Sequence, residues 1–239
     1  MIVDVHSHLD LLEDVKSAIK GVIAIGSGLD HESNLRILEL TNKFENVKAC
    51  LGVYPIDALK LTDEEIDEEI YFIRENKDKI VGIGEIGLDF KESDNKERQV
   101  EVLIKIIKKL RDLDKVFVVH SRRAEKECVE IFEKLKVKKV VFHCFHGNFK
   151  LIKRIEKNGW MLSIPCIVNR SEHFQKIVEA VDIKNLLVES DAPFLCAEAG
   201  KRNEPRFVGD TLKIISTIKK MKLEAVEEIL FENYEKVFC

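Results

Sequence analysis

Residues 80–122, IVGIGEIGLDFKESDNKERQVEVLIKIIKKLRDLDKVFVVHSR, read as one strand–helix–strand unit. Ile80–Ile83 and Val116–Val119 are short β-branched runs of the kind that form buried strands. Between them Asp94 and Glu97 have the spacing of a capping box, and Val100, Leu103, Ile107 and Leu110 recur at helical intervals. A strand that passes through a helix into a second strand is the building block of a parallel sheet.

Working outward from this unit, the same alternation covers the chain. Further apolar runs lie at Ile2–Val5, Gly21–Ile25, Lys48–Val53, Lys139–Phe142, Trp160–Ile164 and Leu186–Val188, which makes eight candidate strands. Thr62 to Glu65 form a capping box ahead of Ile66, Ile70 and Ile73. Asn148 caps a helix that stops at Asn158-Gly159, Ser171 caps the next, and Asp210–Lys220 and Leu223 to about Val237 read as two closing helices. Eight units of about thirty residues each predict a parallel (β/α)8 barrel of the TIM type spanning 1–239 as one domain, with an open doubly wound sheet as the alternative.

Polar outliers favour the barrel. Glu85, His120, His143 and Asp191 each sit where an apolar run stops, and His6 and His8 end the first run two residues apart. In a strand, residues two apart share a face, so both imidazoles leave on one side. An open sheet would gather such residues at one switch point, whereas the carboxyl ends of barrel strands form a ring in which residues far apart in sequence meet. A single strand-terminal histidine is ordinarily just hydrogen-bonded, and a single aspartate just caps a helix. Six together suit two divalent ions bridged by Glu85, with His6, His8 and Asp191 on one and His120 and His143 on the other. Two ions held about 3.5–4 Å apart could share a hydroxide, and Asp191 is the candidate base.

The segments that carry these residues, VDVHSHLD at 3–10, GIGEIGLDF at 82–90, VVHSR at 118–122, FHCFHG at 142–147, LLVESDAPFL at 186–195 and GKRNEP at 200–205, resemble the TatD family of metal-dependent hydrolases. They occur in the family's order over nearly the whole chain. The resemblance implies an amidohydrolase-like barrel, the same six metal ligands, magnesium, manganese or zinc as cofactor, and most often a deoxyribonuclease acting on DNA. Two departures bear on substrate. Tyr54 stands in Gly52-Val53-Tyr54-Pro55 where many members carry histidine; it is either a hydrogen-bond donor to substrate or a half-buried aromatic closing the third strand. His146 stands where serine is usual, as an added proton donor or outer ligand.

Arg122, Arg123, Lys201, Arg202 and Arg206 fall in loops after the fifth and eighth strands, where guanidinium groups suit phosphate oxygens; the plain alternative pairs them with Glu198 or Glu204. Of these, Arg122, Lys201 and Arg202 join Tyr54 and His146 as candidate substrate-binding residues. His31 and His173 read as surface residues away from the ring. Cys144 and Cys196 lie near the site, but neither has a base at a recognisable spacing.

Composition bounds the rest. With 45% hydrophobic and 34% charged residues the chain supports a sizeable core and a solvated surface. A net charge of −4 offers no global attraction to nucleic acid, so a polyanion would be held by metal and local cations. Six cysteines without a CxxC and a first segment without a secretory signature lead to an expectation of reduced thiols and a cytoplasmic protein, with no membrane and no obligate protein partner evident. A carbonyl electrophile keeps the same site and makes the enzyme an amidase, lactonase, deaminase or aminoacyl-tRNA deacylase. A non-catalytic, metal-stabilised binding protein is the third reading.

Overall fold

The computed structural model describes residues 1–239. Its eight strands are β1 Ile2–Ser7, β2 Val22–Ser27, β3 Val47–Leu51, β4 Gly82–Asp89, β5 Val116–Arg122, β6 Val140–Phe142, β7 Met161–Pro165 and β8 Leu186–Glu189. They form one sheet in the order β1 to β8, each parallel to the next. Past the last ladder, the Asp191 N–H donates to the His6 carbonyl (2.9 Å) and the His8 N–H donates to the Ala192 carbonyl (2.7 Å), bringing β8 back to β1. The predicted (β/α)8 barrel is the observed architecture.

Helices alternate with the strands: α1 Val15–Ala18, α2 His31–Lys43, α3 Asp63–Glu75, α4 Lys96–Leu110, α5 Glu125–Lys134, α6 Phe149–Lys157, α7 Glu172–Ala180, α8 Val208–Lys219 and α9 Leu223–Phe238. Thr62 and Glu65 make the expected capping box, and the Asn148 side chain accepts from the N–H groups of Lys150 and Leu151. Two caps differ from expectation. Helix α4 begins at Lys96 with Asn95 at its cap position and no side-chain capping bond, and the Asp94 carbonyl accepts from the Lys96 N–H. Ser171 stands at the start of α7, but its side chain makes no capping bond. No helix is long and apolar enough to cross a membrane.

The barrel interior and the helix layer have separate cores. Inside, Val3, Val5, Ile25, Cys50, Val116, Val118, Val141, Met161 and Leu187 fill the ring, and Tyr234, Val237 and Phe238 of α9 close its amino-terminal end. Outside, alternate strand residues pack against the helices. An aromatic group anchors the β5–β7 side: Phe132 of α5, with no exposed surface, meets Phe117, Phe142 and Trp160 with ring centres 6.0 to 6.4 Å apart, and the Trp160 indole N–H donates to the Val137 carbonyl (3.0 Å).

Strict alternation fails at two places, and both place functional side chains. Gly82 and Gly84 of β4 face the interior, against Cys50, Val116 and Val118, so Glu85 should face the helices. The β4–β5 register instead slips by one residue between Ile83 and Ile86, a bulge that returns Glu85 to the inside. An equivalent slip between Asp4 and Ser7 of β1 does the same for His6, which follows the inward-facing Val5. Bulges are a common device for re-aiming a side chain beside a site.

Removing the Phe132 ring leaves a cavity enclosed by three other aromatics. Phe132→Ala should cost about 3–5 kcal/mol, read as a lowered urea midpoint with unchanged slope.

Candidate metal centre

Glu85 is 2% exposed and lies at the centre of the carboxyl end of the barrel. Two glycines permit this. A Cβ on Gly52 would fall 2.5 Å from the Glu85 carbonyl oxygen, and Gly87, at φ +148°, lets β4 pass the His120 carbonyl, which a Cβ would meet at 1.9 Å. β3, β4 and β5 can thus approach closely where their functional residues emerge.

The two carboxylate oxygens of Glu85 face different groups. Oε2 lies 3.4 Å from His6 Nε2 and 3.5 Å from His8 Nε2, and the same two nitrogens lie 3.4 and 3.3 Å from Asp191 Oδ1. Oε1 lies 2.8 Å from His120 Nδ1 and 2.9 Å from His143 Nε2, which are 3.1 Å from each other. All six residues read from the strand ends therefore converge, in two sets that share Glu85.

Three of the four nitrogens that face away from the centre are tethered. His8 Nδ1–H donates to the Ser27 carbonyl (3.2 Å), which leaves Nε2 as the ring nitrogen that faces the carboxylates. His6 Nδ1 is hydrogen-bonded to Ser27 Oγ (3.0 Å), and His120 Nε2 to Asp89 Oδ2 (3.1 Å). His143 Nδ1 faces Glu189 Oε1 at 3.8 Å. A hydrogen-bonded group behind the imidazole, here a carbonyl for His8, a hydroxyl for His6 and a carboxylate for His120, is the usual arrangement at metal sites, where it sets ring orientation and basicity.

The centre fits divalent ions on its own geometry. The buried His6 Nε2 has no hydrogen-bond partner although it points at two carboxylates. Donor atoms about 2.1 Å from an ion stand about 3.4 Å apart in a tetrahedron and about 3.0 Å apart in an octahedron. The spacings in the two sets are of that size. Without an ion, charge is balanced by protons. Burial opposes a charge on His8, but Asp191 and Glu85 outweigh it and lift the group to about 9. Burial likewise opposes ionisation of Glu85, yet His143 and His6 hold it well below the ordinary carboxylate range. His6 is lowered, by burial first and then by His143.

Asp89, Ser27, Glu189, Asp4 and Ser190 escaped the sequence reading. Asp89 ends β4 four residues after Glu85 and also accepts from the N–H groups of Lys91 and Glu92; although burial opposes its ionisation, His120 and these donors draw it down to about 2. Asp4, pushed up to about 8 by burial, accepts from the Ser190 N–H (2.8 Å) and meets Ser190 Oγ at 2.6 Å, fixing the residue before Asp191 to β1. Their signal was present: all but Ser27 lie within or beside the segments quoted for the ligands.

A cavity of about 550 Å³ opens over the centre. Tyr54, Arg122 and His146 line it. The Tyr54 hydroxyl donates to Asp89 Oδ2 (3.0 Å), so its proton is committed to the group that holds His120. Arg122 pairs with Glu92 at 3.0 Å. Lys201 and Arg202 are not brought to this cavity. They line a separate groove beside Cys196, where Lys201 pairs with Glu198 (2.8 Å) and Arg202 donates to the Leu11 carbonyl (2.7 Å). Arg206 pairs with Glu204 (2.6 Å). His31 is on the surface against Glu69 (2.8 Å), but His173 is half-buried, stacked on His146 with ring centres 5.3 Å apart. Cys144 lines the cavity with its Sγ 3.8 Å from His146 Nε2, and burial and Glu189 push its thiol up.

The TatD related DNase family model matches residues 3–239. An uncharacterized metal-dependent hydrolase of Methanocaldococcus jannaschii is 35% identical over 246 residues, covering 99% of this chain and 96% of that protein. The human deoxyribonuclease TATDN3 is 30% identical over 260 residues, covering 99% and 94%. The crystal structure of YjjV, a TatD homologue from Escherichia coli, superposes with a TM-score of 0.92 over 99% of this chain and 97% of that one at 22% identity, a likeness of fold.

Asp89→Ala frees His120 Nε2 and should lower affinity for added manganese or zinc about 10- to 100-fold, measured by titrating metal into stripped protein, with the far-ultraviolet spectrum unchanged.

Proposed function

The chain belongs to the TatD-related DNase family of metal-dependent hydrolases, and from that membership we propose that it is a deoxyribonuclease that hydrolyses phosphodiester bonds with two divalent ions, magnesium, manganese or zinc, held at the barrel mouth. The observation that carries the reading is the division of Glu85, one oxygen toward His6, His8 and the Asp191 side and the other toward His120 and His143. Two cations sharing one carboxylate suit displacement at phosphorus, where charge on attacking and leaving oxygens develops together. Bound there, the ions would supply the Lewis acidity that makes water nucleophilic near neutral pH.

The protein's own groups do the rest. His6, His8 and Asp191 would hold one cation and His120 and His143 the other, with Glu85 placed between the two sets. Asp191 engages His6 and His8 through Oδ1, so its second oxygen accepts the proton of the attacking water. Asp89 keeps His120 in place, and Arg122 at the cavity wall meets a phosphate oxygen. The net charge of −4 does not oppose a DNA substrate, because the phosphate meets cations locally.

The test is one panel: stripped protein reloaded with each metal, assayed on single-stranded DNA oligonucleotides, bis-p-nitrophenyl phosphate, and acyl ester and amide substrates. Phosphodiester turnover that a chelator abolishes is the expected result. Turnover confined to esters or amides would replace the nuclease with a carbonyl hydrolase on the same centre.

Asp191→Asn should reduce turnover on the order of 10²- to 10⁴-fold with little change in melting temperature. A non-catalytic protein would show no such separation.

A further inference from the structure

The cavity over the metal centre is two-sided. The end of β5 supplies Ser121 and Arg122, the start of α5 supplies Glu125 and the loop after β6 supplies His146, a polar wall. Loops after β2 and β8 supply Leu29, Phe194 and Leu195, an apolar wall beside His8. Phe194 is conspicuous in it: 52% exposed, it is one of few large apolar side chains left in solvent, and its ring stands edge-on to His8 with centres 5.9 Å apart.

Its backbone is fixed although its ring is bare. The Phe194 N–H donates to the Asp191 carbonyl (2.8 Å), the Asn203 N–H donates to the Pro193 carbonyl (2.9 Å), and the Asn203 amide donates to the carbonyls of Ser190 and Leu195. An aromatic ring held by a rigid turn three residues from Asp191 loses little conformational freedom when a flat group packs on it. Packing of the fold gives no reason for its exposure.

We propose that Phe194 is the stacking platform for the nucleobase of one nucleotide flanking the scissile phosphate, and so sets the preference of this site for nucleotides over plain phosphodiesters. This rests on the phosphodiesterase reading above. With phosphorus over Glu85, a substituent leaving toward the β2 and β8 loops meets Leu29, Phe194 and Leu195, while the chain on the other side meets Arg122. Every base has a π face, so such a platform is tolerant of sequence. Phe194 is a specificity residue and handles no proton.

The experiment compares kcat/KM for a short single-stranded oligonucleotide with that for the same oligonucleotide carrying an abasic residue on either side of the cleaved bond, in the metal-loaded wild type and in Phe194→Ala, Phe194→Leu and Phe194→Tyr. Expected is an abasic penalty of about 5- to 100-fold on one side in the wild type, mostly in KM. It should shrink to about twofold in Phe194→Ala, stay small in Phe194→Leu, and return in Phe194→Tyr. An equal penalty in wild type and Phe194→Ala overturns the platform while leaving the nuclease standing. Absence of cleavage of every phosphodiester by the wild type overturns both.

Discussion

A carboxylate with 2% of its surface exposed must be compensated, and the carboxyl end of this barrel is arranged around that requirement at Glu85. An uncompensated buried charge costs several kcal/mol. Here four imidazoles from three strands, β1, β5 and β6, point at its two oxygens. The backbone accommodates the demand: Gly52 and Gly87 remove the Cβ atoms that would hold β3, β4 and β5 apart, and the bulges of β1 and β4 turn His6 and Glu85 inward against the alternation of their strands. The same residues form a cluster that could hold metal ions.

Around the centre a shell of polar groups fixes the imidazoles, and its members come from the ring itself. Ser27 ends β2 and serves both His6 and His8; Asp89 ends β4 and serves His120; Asp4 of β1 reaches across the seam to Ser190 after β8. The seam therefore has two duties. Its backbone bonds close the barrel, and they hold the strand that brings His6 and His8 against the turn that brings Asp191. The geometry of the candidate site and the closure of the barrel are in this region one structure, and the loop from 190 to 195, held by it, carries an exposed aromatic ring beside the site.

Much of this was legible in the sequence, for identifiable reasons. The βα rhythm is a periodicity, and the six strand-end residues are interruptions of it, so both survive in one dimension. The outer residues were harder to see because Asp89, Ser27 and Glu189 look like ordinary helix-capping or turn residues until their partners are known. Lys201 and Arg202 show the converse. They fall in a segment resembling the family's, yet near partners, Glu198 for one and the Leu11 carbonyl for the other, hold them at a separate groove. His173 was read as a surface residue from its helix, whereas its ring stacks on that of His146, a contact between the loop after β6 and α7 that no local pattern encodes.

By itself the sequence determined the number and order of strands, the helices between them, and which side chains would stand at the strand ends, because hydrophobic period and capping chemistry act over a few residues. Only the tertiary structure decided that Glu85 and His6 face the barrel axis. Strict alternation sends both outward, and the register slips that reverse them depend on how β1 pairs with β2 and β4 with β5, strands 20 or more residues away in the chain. The division of the Glu85 oxygens follows from that pairing, and the commitment of Tyr54 to Asp89 follows from where the loop after β3 meets the end of β4.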